Sequence, residues 1–320
     1  MQSIADIASR WSALREKLDT IILGQERVKS LVLTSLLAGG HVLIEGVPGT
    51  GKTLLALALA RLLGCRFRRI QFTPDLMPAD LLGANVFNQK SEEFVFRAGP
   101  VFTDILLADE INRTPPRTQA ALLESMQEGA VTIDGVRYEI SQVFTVFATQ
   151  NPVEFEGTYP LPEAQRDRFQ MKIEIDFPEA ADEERMLAAY ASGVRLHDDL
   201  VATLQPVIST EDLHLSRRAV SRLVRVEPNI LTYIREIVSR TRHDDAVQIG
   251  AGPRASLALL EAGRAAAALA GRDFLTPDDI KSLAGPVLAH RVTLSPEAEM
   301  EGVSLGELLN RIFDQVEVPR

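Results

Sequence analysis

Apolar residues recur near the start of the chain as Ile4, Ile7, Trp11, Leu14 and Leu18, at alternating steps of three and four. That spacing lays one apolar stripe along a helix over residues 3–18. Two heptads are too few for a coiled coil, so the stripe is expected to pack against the body of the protein. An apolar turn at Ile21-Ile-Leu-Gly-Gln25 leads to a second helix from about Glu26 to Leu37. The pattern then becomes strand-like. His41-Val-Leu-Ile-Glu45 is short and apolar, as a buried strand requires, and Thr53–Leu63 is a Leu/Ala run closed by Gly64, a helix with its C-terminal glycine.

Strands and helices go on alternating after that. Arg66–Phe72 predicts a strand, Thr73–Leu82 a short helix, and 85–97 a hairpin around the polar turn Asn88–Glu93. Val101–Ala108 is an apolar strand running into Asp109-Glu110, and Thr118–Gln127 is helical in pattern. Ala130–Ile133 and Val136–Ile140 flank Asp134-Gly135, a two-residue hairpin signal that puts Val131 and Ile133 on one face with Val136 and Tyr138. Gln142–Ala148 is a further strand, ending in Thr149-Gln150-Asn151-Pro152, and Met171–Phe177 completes the strands. From Pro178 only helices are expected: 182–191, 211–226, 229–241, 253–270 and a capped start at Thr276-Pro-Asp-Asp279. The change of pattern divides the chain near residue 180 into an α/β domain, 1–180, and a smaller helical domain, 181–320.

One stretch carries recognisable chemistry. Gly46-Val47-Pro48-Gly49-Thr50-Gly51-Lys52-Thr53 fits G-x-x-x-x-G-K-[ST], a loop whose glycines let successive backbone N–H groups point into one phosphate-sized concavity. Strand, loop and helix follow one another as that site requires, with the helix N-terminus and Leu54 directly behind the loop. Lys52 is expected on the β- and γ-phosphates of ATP, and the Thr53 hydroxyl on Mg²⁺. The acids closing the 101–108 strand supply the other half: Asp109 as a magnesium ligand and Glu110 to polarise the attacking water. Asn151, at another strand end, either orients that water or is a turn residue. The turn at Gly24 either lines a pocket for the base or belongs to the core.

Charge and composition narrow the partners. The net charge of −10 disfavours a broad nucleic-acid surface. The arginines of Arg66-Phe-Arg-Arg suggest polyanion binding or, more simply, a solvated edge paired with acids. No apolar run is long enough for a membrane span, and the opening residues lack the order of a signal peptide. The single cysteine, Cys65, excludes an internal disulfide and fits a reducing cytoplasm.

Together these stretches resemble the AAA+ ATPases and, within them, the MoxR family. The resemblance spans nearly the whole chain and rests on Gly46–Thr53, Ala108-Asp-Glu-Ile-Asn-Arg113, Ala148-Thr-Gln-Asn-Pro152, Glu163-Ala-Gln-Arg-Asp-Arg-Phe169 and Gly252-Pro-Arg254. It implies a parallel five-stranded sheet with a helical lid, and hairpins at about 85–97 and 130–140 that match the two inserts of this clade. It assigns Asn151 as the sensor-1 residue, Arg168 as the finger supplied to a neighbouring subunit, and Arg254 as the sensor-2 arginine of the lid, reaching phosphate from the second domain. Arg166 is close enough to share the role of Arg168. The family further implies a homo-oligomeric ring, commonly a hexamer, a von Willebrand factor A-domain partner protein and a protein client that is remodelled, matured or activated. The alternatives are a metal-chelatase ATPase subunit, a nucleic-acid motor, and a nucleotide switch without turnover. Polar or acidic hairpin tips oppose the motor, which needs cations where it meets phosphates, and Glu110 with Arg168 opposes the switch.

Overall fold

The structure is a computed structural model, and it describes residues 3–151, 157–193 and 201–319; Pro152 of the Ala148–Pro152 motif lies outside the described residues. Helix α1 (Ile4–Asp19) buries Ile4, Ile7, Trp11, Leu14 and Leu18, the stripe read from the sequence, and starts from a capping box between Ser3 and Asp6. Each fully buried side chain of that size contributes roughly 1.5–3 kcal/mol. Helix α2 (Glu26–Ala38) leads into β1 (Val42–Glu45), and α3 (Lys52–Leu62) follows the glycine-rich loop. Next come β2 (Phe67–Gln71), α4 (Pro78–Leu82), the hairpin β3 (Gly83–Asn88) and β4 (Glu93–Ala98), and β5 (Ile105–Asp109). Helix α5 (Pro116–Glu128) precedes the hairpin β6 (Ala130–Ile133) and β7 (Val136–Glu139), then β8 (Thr145–Gln150), α6 (Glu163–Arg166) and β9 (Met171–Glu174). The helix expected over 73–82 is shorter than its pattern suggested. Pro78 holds Met77 extended at φ −100, ψ 156, so only Pro78–Leu82 is helical.

Five strands form one parallel sheet in the order β2-β5-β8-β1-β9. Its period of two sorts side chains onto two cores. Val42, Ile44, Ile105, Leu107 and Phe147 face α1, α2, α3 and the C-terminal helices, while Leu43, Leu106, Ala108, Val146 and Ala148 face α5 and the hairpins.

The remaining chain is α7 (Ala180–Ala191), α8 (Val201–Thr203), α9 (Thr210–Leu223), α10 (Pro228–Arg240), β10 (Val247–Ile249), α11 (Pro253–Leu269), α12 (Pro277–Leu288), β11 (Thr293–Leu294), α13 (Pro296–Met300) and α14 (Leu305–Gln315). Thr276 caps α12 and closes a capping box with Asp279, as read from the sequence. The expectation of helices only is corrected by the antiparallel pair β10 and β11. Strands of three and two residues carry no period that a sequence reading can find. Helix α11 packs on both α1 and α2, so the first core runs without a break from the N-terminal helices into the C-terminal ones.

Candidate active site

The phosphate loop is fixed where β1 leaves the sheet. A Cβ on Gly46 would lie 2.3 Å from the Ile175 carbonyl oxygen, so only glycine lets β1 turn this close to the chain after β9. Gly49 and Gly51 take φ of +87° and +84°, and a Cβ on either would meet nothing within 4 Å. The loop is therefore held by backbone conformation and stands open on its inner side. Because α3 begins at Lys52, Thr53 lies in its first turn, where free N–H groups and the helix dipole favour an anion. Lys52 Nζ donates to the carbonyls of Gly46 at 2.7 Å and Val47 at 2.8 Å. Burial lowers its pKa, and the charges of Asp109 and Glu110 oppose that shift.

Sheet register brings the acids to this loop. Asp109 stands beside Gln71 on β2, and Ala108 pairs with Ala148 on β8, which sets Thr149 next to Asp109. Thr149 Oγ1 donates to Asp109 Oδ1 at 2.5 Å and accepts the Glu110 N–H at 2.9 Å. Glu110 takes a left-handed φ of 56°, which turns its side chain away from the strand direction followed by Asp109. Gln71 Nε2 donates to Glu110 Oε2 at 2.5 Å, and Arg113 Nε lies 3.2 Å from the same oxygen. Arg69 Nη2 is 2.7 Å from Asp109 Oδ2. Asn151 is buried at the same place. Lys52, Thr53, Asp109, Glu110, Thr149 and Asn151 thus line one cavity of about 400 Å³, together with Gly46, Pro48, Gly49, Thr50, Gly51 and Leu54. The arginines of the second strand pair with acids, Arg66 with Asp104 and Arg69 with Asp109.

Four residues of this cavity escaped the sequence reading: Arg69, Gln71, Thr149 and Gln150. Their signal is their place on β2 and β8, the strands flanking that of Asp109, and it becomes readable only once strand order is known.

A second, apolar cavity of about 350 Å³ opens from the same loop at Gly49, Thr50, Gly51 and Leu54. Ile21, Ile22, Leu23, Val28, Ile175 and Met186 supply its walls. Gly24 does not line it, although its neighbours Leu23 and Gln25 do. At φ +66° it takes a backbone conformation that L side chains rarely adopt, and an added Cβ would sit 2.1 Å from the Asp182 carboxylate on α7.

Arg168 and Arg254 are not brought to the Lys52 cavity. Both line a separate cavity of about 270 Å³, with Asp167, His41, Gln170 and Arg291. Arg254, expected to reach phosphate from the second domain, thus stands apart from the phosphate loop of its own chain. Its guanidinium instead faces Asp167 at 3.8 Å, where a carboxylate competes for it. Arg168 Nε is buried and has no hydrogen-bond partner among the described residues. Arg166 lies 4.0 Å from Glu163.

The two hairpins touch. Phe96 stacks on Tyr138 with centroids 4.1 Å apart, and Asn85 Nδ2 donates to Asp134 Oδ2 at 2.6 Å. The register Val131–Tyr138 and Ile133–Val136 is the one read from the sequence. Beyond the stack, Val86, Phe87, Phe94 and Val95 remain exposed.

Residues 41–171 match the model of the ATPase family associated with various cellular activities (AAA), and residues 239–312 match that of the AAA lid domain. YeaC of Bacillus subtilis (strain 168), an uncharacterised protein, is 47% identical over 304 residues, which cover 95% of this chain and 93% of YeaC. Chaperone MoxR1 of Mycobacterium tuberculosis is 41% identical over 309 residues, covering 94% of this chain and 80% of MoxR1. The crystal structure of a candidate ATPase from Cytophaga hutchinsonii superposes with a TM-score of 0.90 at 36% identity, over 98% of this chain and 96% of that one.

Proposed function

The chain belongs to the MoxR family of AAA+ ATPases, and from that premise we propose that it hydrolyses ATP in a homo-oligomeric ring, a hexamer, and uses the cycle to remodel a protein client. The observation that carries this reading is the separation of groups between two cavities. Lys52, Asp109, Glu110 and Asn151 share one, whereas Arg168 and Arg254 line the other. A single chain thus holds loop, acids and polar amide at one place and its spare guanidinium groups at another. Such a division suits a site completed by a neighbouring copy.

The residues fit the nucleotide and its metal. The positive-φ glycines and the first turn of α3 form an anion cradle, and the adjoining apolar cavity suits a base. Thr53 and Asp109 would hold Mg²⁺, which when bound neutralises charge on the phosphate oxygens. Arg69 would have to release Asp109 for this. Lys52 would exchange the Gly46 and Val47 carbonyls for phosphate oxygens, and Glu110 would take a proton from water that Asn151 orients. Arg168 from the neighbouring copy would meet the charge that develops as the phosphoryl group transfers, a contribution worth roughly 10³–10⁵ in rate. The division at residue 180 into nucleotide-binding domain and lid is part of the same reading. The exposed apolar hairpin residues and the Asp134-Gly135 tip are the surface proposed for the client or a von Willebrand factor A-domain partner.

Mixing inactive variants tests the shared site. Arg168→Ala should bind ATP with near-normal affinity yet lose most turnover, and Lys52→Ala should not bind ATP. In a mixture, Lys52→Ala subunits supply intact fingers to Arg168→Ala subunits that keep Lys52, so activity should reappear. Turnover that is independent of protein concentration, with no recovery in the mixture, would refute a site built from two copies.

A further inference from the structure

The segment that carries Arg168, Asp167–Gln170, lies between α6 and β9 in neither helix nor strand. Its N–H groups bond to α6 and to His41, and its carbonyls are held from the far end of the chain. Arg291, three residues past the end of α12, is buried against it. Arg291 Nε donates to Asp167 Oδ1 at 2.7 Å, and Nη2 donates to the carbonyls of Asp167 at 3.2 Å and Phe169 at 2.6 Å. Nη1 donates to the carbonyls of Gln170 at 3.0 Å and Val287 at 2.6 Å. The neighbouring His290 Nε2 donates to the Phe169 carbonyl at 2.9 Å.

One planar guanidinium therefore grips the chain on both sides of Arg168 and ties it to the last turn of α12. A buried cation costs several kcal/mol in desolvation unless its donors are met, and this one is met almost wholly by the finger segment. Burial lowers the Arg291 pKa, and the Asp167 carboxylate holds it up. The other oxygen of that carboxylate faces Arg254 at the start of α11. The backbone around Arg168 thus runs on from α6, whose Glu163, Gln165 and Arg166 carbonyls accept the N–H groups of Asp167, Arg168 and Phe169, and is tied through its carbonyls to Arg291 of the C-terminal region.

We propose that Arg291 is a positioning residue for Arg168: it locks the 167–170 segment to the helical region, so that the finger is presented to a neighbouring copy only while that region is docked. This rests on the reading of Arg168 as acting in trans. A general glue between two parts of the protein would need no particular acceptors. Here three of the four carbonyls, and the carboxylate, belong to the four residues 167–170.

Arg291→Met keeps the volume and removes the fork. The expected result is ATP affinity within a few-fold of normal and turnover lowered on the order of 10²-fold, the scale of a misplaced catalytic group. Arg291→Met subunits should regain activity when mixed with Lys52→Ala subunits, which bring well-placed fingers. Mixed with Arg168→Ala subunits they should not, since neither then supplies a finger. Recovery with Arg168→Ala, or full turnover by Arg291→Met alone, overturns the proposal. Should the methionine variant fail to fold, Arg291→Lys is read by the same mixtures, because it keeps a buried cation yet cannot span the five acceptors. Arg168→Ala with Lys52→Ala serves as the control. If that pair recovers and the Arg291 variant with Lys52→Ala does not, the positioning role alone falls; if the control pair fails, the shared-site reading falls and takes this inference with it.

Discussion

The cavity at the phosphate loop is shaped by backbone, whereas the cavity at Arg168 is shaped by side chains from distant parts of the chain. In the first, glycine φ values, a helix start and the ends of three parallel strands set every group within one continuous α/β unit. In the second, Asp167, Arg254 and Arg291 meet across more than 80 residues of sequence, held by ion pairs and a buried fork. The contrast matters for function. A site built from backbone is present whenever the sheet is folded. One built from side chains on separate helices depends on how those helices are docked.

The largest expected effect separates the two cavities chemically. Glu110→Gln removes the proposed proton acceptor but leaves loop, Asp109 and Arg168 in place. Turnover should fall by roughly 10²–10⁴, while ATP affinity stays within a few-fold. Because its finger is intact, this variant should still restore activity to Arg168→Ala in a mixture. Near-normal turnover would move the base to another residue, and absent rescue would break the independence of the two cavities.

Acid should strike the second cavity before the first. His41, which lines it, is half-buried, accepts the Val146 N–H on Nδ1 at 3.0 Å and donates from Nε2 to Met126 at 3.2 Å. Burial lowers its pKa to about 4 from an ordinary 6.5. His290, beneath the finger segment, is shifted well below its usual value by burial and by the charge of Arg291. The unfolded chain therefore takes up protons near pH 6.5 while folded His41 stays neutral to about pH 4. Stability from this residue is complete above 6.5 and is lost as pH falls through that window. For His41 the full change is worth about 3 kcal/mol, and His290 acts in the same direction. Unfolding midpoints measured from pH 7 to 4 should drop more steeply for the wild type than for His41→Gln. Parallel profiles would remove His41 as the cause.

How much of this was legible in the sequence follows the same divide. The loop, Asp109 and Glu110 declare themselves because each sits at the end of a local pattern, an apolar strand followed by a fixed spacing of glycines or by acids, whereas Asn151 needed the family resemblance to be told from a turn residue. The helix stripe of α1 and the Asp134-Gly135 hairpin are legible for the same reason. Thr149, Gln71 and Arg69 are not, since their partners are set by the order β2-β5-β8, which no local pattern encodes. Arg291 is hidden further still. It lies beyond a helix end among ordinary residues, and its acceptors are backbone carbonyls some 120 residues away. Arg254 was noticed, but its cavity depends on where α11 docks, and that is tertiary information.

The smallest expected effect bears on Arg254 and decides whether the second cavity acts as one unit. Its guanidinium is half-exposed and meets Asp167 only at 3.8 Å, so it adds little to stability; an ion pair of this kind is worth roughly 0–1 kcal/mol. Arg254→Ala should leave the unfolding midpoint within about a degree. Any loss should appear in turnover of the assembled protein, about tenfold, or roughly 1.4 kcal/mol on the barrier. Binding of ATP to dilute, unassembled protein should not change, because Arg254 stands apart from the phosphate loop of its own chain. The decisive measurement is therefore ATP affinity at protein concentrations below and above assembly. A loss confined to the assembled state keeps Arg254 with Arg168 on the side that serves a neighbour. An equal loss at both concentrations would mean that α11 swings across to its own nucleotide, and the separation of the two cavities would then describe only one position of the helical region.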